Sequence, residues 1–144
     1  MSFQWLEMRI TEEQDRRRKE AIVLERLPRA LEELHKALAA CLEEFTAAFG
    51  TEAAEMTLQS SRIHISIREE QDGKWQQSAK VDISAVPSVP GFQIEHGNEP
   101  LIIEVGMLPG DKVFYRDRKM DKYVALDELT RRVLDRALFP KLGE

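Results

Sequence analysis

TEEQDRRRKEAIVLERLPRALEELHKALAACLEEFTAAF, residues 11–49, decides how this chain is built. Its first part, Thr11 to Glu20, is almost wholly charged, and from Leu24 onward it carries a continuous apolar seam. Thr11 and Gln14 have the capping-box form, which predicts a helix start at Thr11. Glu12–Arg16, Glu13–Arg17 and Asp15–Lys19 are spaced i,i+4 with the acid first, the favourable order, and each such pair contributes about 0.2–0.5 kcal/mol to an exposed helix. A segment polar on every side is a solvated stalk held by such pairs. The acids interleaved with Arg16, Arg17, Arg18 and Lys19 favour that reading over a phosphate-binding patch.

Leu24, Leu27, Leu31, Leu34, Leu38, Cys41, Phe45 and Ala48 follow at steps of three and four. Ala30, Ala37, Leu42 and Phe49 flank this seam and widen it, which suits a helix lying on a sheet better than an isolated coiled coil. Pro28 removes one helical hydrogen bond and crowds the preceding turn, so the helix is expected to kink or divide there. Gly50 is the expected left-handed stop. Residues 1–27 then form an apolar tip and charged arm, and residues 28–144 a single α+β domain. Phe3, Trp5, Leu6, Met8 and Ile10 make up the tip, expected to dock on the body, on another chain or on a membrane surface.

Beyond Gly50 the period changes to two. Ile63, Ile65 and Ile67 alternate with Arg62, His64, Ser66 and Arg68, as in a half-buried strand. A second alternating run passes through Trp75, Ala79, Val81, Ile83 and Ala85. Parity across Asp72-Gly73 predicts a three-residue loop, Gln71-Asp72-Gly73, with Ile65 opposite Ala79 and Ile63 opposite Val81. Met56 and Leu58 have the other parity, predicting one long strand with a bulge near Ser60-Ser61. Short strands follow around Phe92–His96, Leu101–Met107, Val113–Tyr115 and Tyr123-Val124, with turns at Gly97–Pro100 and Pro109–Asp111. Asp127 is the expected cap of a closing helix that ends before Pro140. The fold expected is α+β: a long N-terminal helix and a C-terminal helix on one face of a curved, mainly antiparallel sheet of about five strands.

The composition is that of a folded domain: 144 residues, 42% hydrophobic and 33% charged, with a net charge of −5 that argues against nucleic acid as a partner. Cys41 is the single cysteine, so neither an intrachain disulfide nor a cysteine cluster is available. No apolar run approaches the roughly 20 residues of a membrane span, and the first ten residues lack signal-peptide character, so a cytoplasmic location is expected.

Nothing in the sequence carries a catalytic, cofactor or metal signature. His35, His64 and His96 lack ligand spacing, and a site built from His64, His96 and Glu95 is weaker than three surface histidines. Cys41 falls on the seam, where a buried thiol is inert. The function expected is therefore non-catalytic, through protein contacts or self-association as a homodimer. Phe3, Trp5, Leu6 and Ile10 of the tip, and Arg62, His64 and Arg68 on the uncovered sheet face, are the candidate contact residues. The alternative is a small apolar ligand held between sheet and long helix, in a cavity lined by Trp75, Phe92, Met107 and Tyr115. A hydrolase or metal enzyme is the third class.

Overall fold

The computed structural model describes residues 3–97, 99–108 and 112–141, apart from the side chain of Met107. The chain is α+β. Helix α1, Gln4–Phe49, is followed by seven strands and a closing helix. The strands are β1 Ala54–Gln59, β2 Arg62–Gln71, β3 Lys74–Val86, β4 Gly91–Glu95, β5 Leu101–Leu108, β6 Lys112–Asp117 and β7 Lys122–Val124, and the closing helix is α2, Leu126–Leu138. Every strand pairs antiparallel with its chain neighbour, giving one open sheet in the order β1 to β7.

Helix α1 starts seven residues before Thr11, at Gln4, with Phe3 as the capping residue. No glycine or proline separates Gln4 from Thr11, so nothing stops the helix from extending back. Thr11 sits inside it and donates its hydroxyl to the Glu7 carbonyl at 3.0 Å, the alternative use of a helical threonine. The helix also runs unbroken through Pro28. Of the two outcomes expected there, division into separate helices does not occur. At about 1.5 Å per residue, 46 residues make a rod about 69 Å long. Gly50 ends it with φ 117° and ψ 150°, a positive φ as expected but outside left-handed helical geometry, while its N–H bonds the Thr46 carbonyl at 2.8 Å.

The core explains where this rod is held. Val23, Leu27, Ala30, Leu31, Leu34, Leu38 and Leu42 are its buried residues, packed against Ile63, Ile65, Ile67, Val81, Ile83, Phe92, Ile94 and Ile103 of the sheet. Helix α1 crosses β1, β3 and β5, and α2 packs on α1 and β3 through Leu129, Val133, Leu134 and Ala137. Burial begins at Val23, so the body takes in Val23 and Leu27, which the sequence assigns to the arm.

Two hairpins correct the expected strand layout. Met56 pairs with Ile65 and Leu58 with Ile63 across a two-residue turn at Ser60-Ser61, with Ser60 at φ 53°. The change of parity there marks a reversal of direction, and β1 and β2 are separate strands. At the next turn Gln71 pairs with Lys74, leaving a two-residue loop in which Asp72 and Gly73 both have positive φ, 54° and 76°. Asp-Gly favours that turn because both positions tolerate positive φ. Apolar residues still meet because a bulge follows: Ile67 pairs with Ala79 and Arg68 with Gln77, so Ser78 is the extra residue. The Ser78 hydroxyl donates to the Ile67 carbonyl at 3.3 Å. Beyond the bulge Ile65 faces Val81 and Ile63 faces Ile83.

At the far side of the sheet, Asp117 is buried on the helix-facing side. Its carboxylate accepts the backbone N–H groups of Lys119 and Met120 and the Arg132 guanidinium of α2 at 2.7 Å. It therefore shapes the β6–β7 turn and fastens α2 at once. Helix α2 begins one residue ahead of Asp127, with Ala125 as the capping residue and the Asp127 carboxylate accepting the Glu128 N–H at 2.9 Å. The expected Pro109–Asp111 turn and Asn98 of the Gly97–Pro100 turn lie outside the described residues.

Candidate functional site

Residues 4–22 of α1 continue beyond the body for about 28 Å, since the first buried residue is Val23. At the far end Phe3, Trp5, Leu6, Met8 and Ile10 are all exposed, Trp5 at 66%. The tip does not fold back onto its own body. Because the helix is continuous, the three-and-four spacing of the seam extends backward from Leu24 through Glu20, Arg17, Glu13, Ile10 and Leu6 to Phe3. The sequence reading missed this extension by starting the helix at Thr11.

Between tip and body the arm is laced by ion pairs. Glu13 bonds Arg16 at 2.7 Å and Arg17 at 3.1 Å, and Arg16 also reaches Glu20. Asp15 holds Lys19 at 3.0 Å together with Arg18, and Arg9 takes Glu12 at 3.0 Å. Two of the three expected pairs form, and Glu12 turns to Arg9 instead of Arg16. The hydrogen bonds from Arg16 and Arg17 lower the Glu13 pKa to about 2, and those from Lys19 and Arg18 lower that of Asp15. Residues 3–22 hold five acidic and five basic side chains, so the arm carries no net charge.

The open face of the sheet places the next candidates. His64 and Asp82 are register partners on that face, with Nδ1 and Oδ1 2.7 Å apart. Arg62 lies within 3.4 Å of the Ser84 hydroxyl, and Arg68 bonds Glu55 at 2.6 Å. Arg62, His64 and Arg68 thus share one strand, each engaged with a neighbouring strand. Glu95 pairs with Asp82, which completes a cross-strand row of His64, Asp82 and Glu95. His96 follows β4 outside that row, its Nδ1 buried without a hydrogen-bond partner among the described residues. Among the described residues no group of three or more His, Cys, Asp or Glu is placed to hold a metal. Further along this face Glu104 takes Arg116 at 2.9 Å, and Phe114 meets Tyr123 edge-on at 5.2 Å.

The residues proposed for an apolar cavity separate. Phe92 is fully buried in the core with the Tyr115 ring 6.3 Å away, and Met107 is described only by its place on β5, opposite Val113. Tyr115 points to the helices, where its hydroxyl donates to Glu33 of α1 at 3.4 Å. Burial, with the Glu33 carboxylate next, pushes its pKa up to about 12. Trp75 lies at the opposite end of the molecule beside Gly50 and borders a cavity of about 530 Å³ with Phe45, Phe49 and Phe139. Phe45 packs on Phe49 at 4.9 Å and edge-on to Phe139 at 5.8 Å. The i,i+4 spacing of Phe45 and Phe49 was the available sequence signal for this aromatic cluster.

A second cavity, about 640 Å³, runs beside α1 where the arm joins the body. Leu24, Leu27, Pro28 and Leu31 form its helix wall, and Leu58 of β1, Ala85 of β3 and Pro87 just beyond β3 face them. Leu24 is 36% exposed there, a seam residue that its own fold leaves partly open. No described helix is long and apolar enough to cross a membrane. Comparison of the chain with protein-family models, with curated proteins and with solved structures gave no match.

Proposed function

We propose that this protein acts without catalysis, through contacts with other protein chains, and that it associates with a second copy of itself through the α1 arm. One observation carries the reading: α1 extends about 28 Å past its last buried contact and ends in five exposed apolar side chains. Ordering such an arm is stabilising only when that apolar surface meets a partner. Two-fold pairing is the commonest way a chain supplies its own partner. The neutral arm suits a protein partner better than an anionic membrane or a nucleic acid, both of which select clustered cations. Arg62, His64 and Arg68 form the secondary contact surface of this reading. A cytoplasmic setting belongs to the same proposal, supported by the unpaired Cys41 on α1.

Light scattering of the intact chain and of a chain lacking residues 1–20 tests the proposal. The intact chain is expected at twice its 16.6 kDa mass and the truncated chain as a monomer, with the two melting at the same temperature only when both are dilute enough to be monomeric. An intact chain that stays monomeric at every accessible concentration would overturn it, and a truncated chain that remains dimeric would remove the arm from it.

The alternative, a small apolar ligand, is favoured by the cavity among Phe45, Phe49, Trp75 and Phe139. A screen of apolar compounds read by melting temperature tests it, since a ligand bound only by the folded state raises that temperature. Trp75→Ala should abolish any shift; a shift that survives Trp75→Ala places the ligand elsewhere.

A further inference from the structure

The continued seam of the arm is self-complementary about its own middle. Reading from the tip, its positions are Phe3, Leu6, Ile10, Glu13, Arg17, Glu20, Leu24 and Leu27. Pairs of positions whose numbers sum to thirty are Phe3 with Leu27, Leu6 with Leu24, Ile10 with Glu20, and Glu13 with Arg17. In an antiparallel helix pair with its two-fold axis at residue 15, those residues lie opposite one another, because the first and fourth heptad positions alternate across such a seam. Apolar residues meet near both ends, and an acid meets a base on each side of the axis. Ile10 lies against the aliphatic stem of Glu20.

Charge order across the arm specifies the same direction. Glu12, Glu13 and Asp15 precede Arg16, Arg17, Arg18 and Lys19. A parallel pair sets acids against acids and bases against bases, whereas an antiparallel pair centred at residue 15 sets each acidic half against the partner's basic half. The pairs now made within one helix, Glu13 with Arg17 among them, leave these groups on the surface and within reach of a second helix.

This register carries the tip to a defined place. With Leu6 opposite Leu24 and Phe3 at the level of Leu27, whose own side chain is already buried in the core, the tip enters the 640 Å³ groove between Leu24 and Pro28 on one wall and Leu58, Ala85 and Pro87 on the other. Trp5 and Met8 project from other sides of the helix than Phe3, Leu6 and Ile10, which suits a position with a helix to one side and strand ends to the other. It also accounts for the incomplete burial of Leu24 in the single chain.

We infer that two copies pair antiparallel through residues 3–27, the tip of each filling the Leu24–Leu58–Pro87 groove of the other. The inference rests on the proposed self-association and adds its direction, register and docking groove. The test places cysteines on a Cys41→Ser background. With both Leu6→Cys and Leu24→Cys, mild oxidation is expected to yield a covalent dimer whose peptide map joins position 6 to position 24. Either cysteine alone yields no dimer, since copies of one position lie about 27 Å apart in this register. Arg17→Glu or Glu13→Arg alone should weaken dimerisation at least about tenfold, and the two together should restore it to within about threefold. A dimer joined 6 to 6, or one indifferent to the charge reversals, would overturn this register and leave self-association standing. A chain that is monomeric before any substitution would overturn both.

Discussion

Helix α1 is expected to respond to alanine in two opposite ways along its length. Leu34 is fully buried in the core, whereas Leu6 lies 28 residues nearer the start on the exposed tip. Leu34→Ala deletes a large part of a side chain with no solvent contact. Helix α1 packs on β1, β3 and β5 and against α2 beside it, so it has little room to close the cavity. Such substitutions cost about 3–4 kcal/mol, of a total of about 5–15 kcal/mol for a domain. At about 3 °C per kcal/mol the melting temperature falls by about 10 °C. Leu6→Ala, by contrast, should change stability by no more than about 0.5 kcal/mol when the protein is dilute enough to be monomeric. Urea denaturation followed by circular dichroism, at a concentration where scattering reports a single chain, measures both. A Leu6→Ala loss above about 1 kcal/mol under those conditions would mean that the tip packs on its own body, and the division of α1 into core and arm would be wrong.

Three further outcomes follow from local geometry. Tyr115 has its pKa raised from 10.0 to about 12, so the fold favours its neutral form; the stabilisation is complete below pH 10 and is lost as pH rises through about 12. Alkaline denaturation curves should show this loss in the intact chain and not in Tyr115→Phe. Glu13 has its pKa lowered from 4.5 to about 2, so its contribution to arm helicity is present above 4.5 and disappears as pH falls towards 2. The far-UV ellipticity difference between the intact chain and Glu13→Gln should close over that interval, and a difference constant with pH would contradict the pairing. A Cβ at Gly91 would lie 1.9 Å from the Ile103 carbonyl oxygen, which is backbone and cannot rotate away. Gly91→Ala should therefore cost at least about 2–3 kcal/mol in the same urea experiment by forcing β4 and β5 apart.

The sequence carried the fold class because its period changes from three-and-four to two at Gly50, and burial follows those periods: Leu31, Leu34 and Leu38 on the helix, Ile63, Ile65 and Ile67 on the strand. Turn geometry was less legible. Parity alone pointed to a three-residue loop at Asp72-Gly73, because a bulge at Ser78 restores the same pairing of faces from a two-residue turn, and no residue type distinguishes the two solutions. The parity change between Leu58 and Ile63 was visible, but it is produced equally by a bulge and by a tight reversal. At the arm, Thr11 with Gln14 imitated a helix start, and that concealed the phase shared by Phe3, Leu6 and Ile10 with Leu24. The groove beside Leu24 joins a helix residue to Leu58 and Pro87, positions brought together only by the sheet, so no sequence spacing reveals it.

Hydrogen exchange of the backbone amides in residues 4–22, followed as protein concentration is raised, tests the central claim most directly. An arm that leaves its own body and meets a second copy exchanges quickly when dilute and becomes protected as concentration rises, while Leu34 and its neighbours stay protected throughout. Protection of the arm that is independent of concentration, or fast exchange that persists at every concentration, would contradict the account.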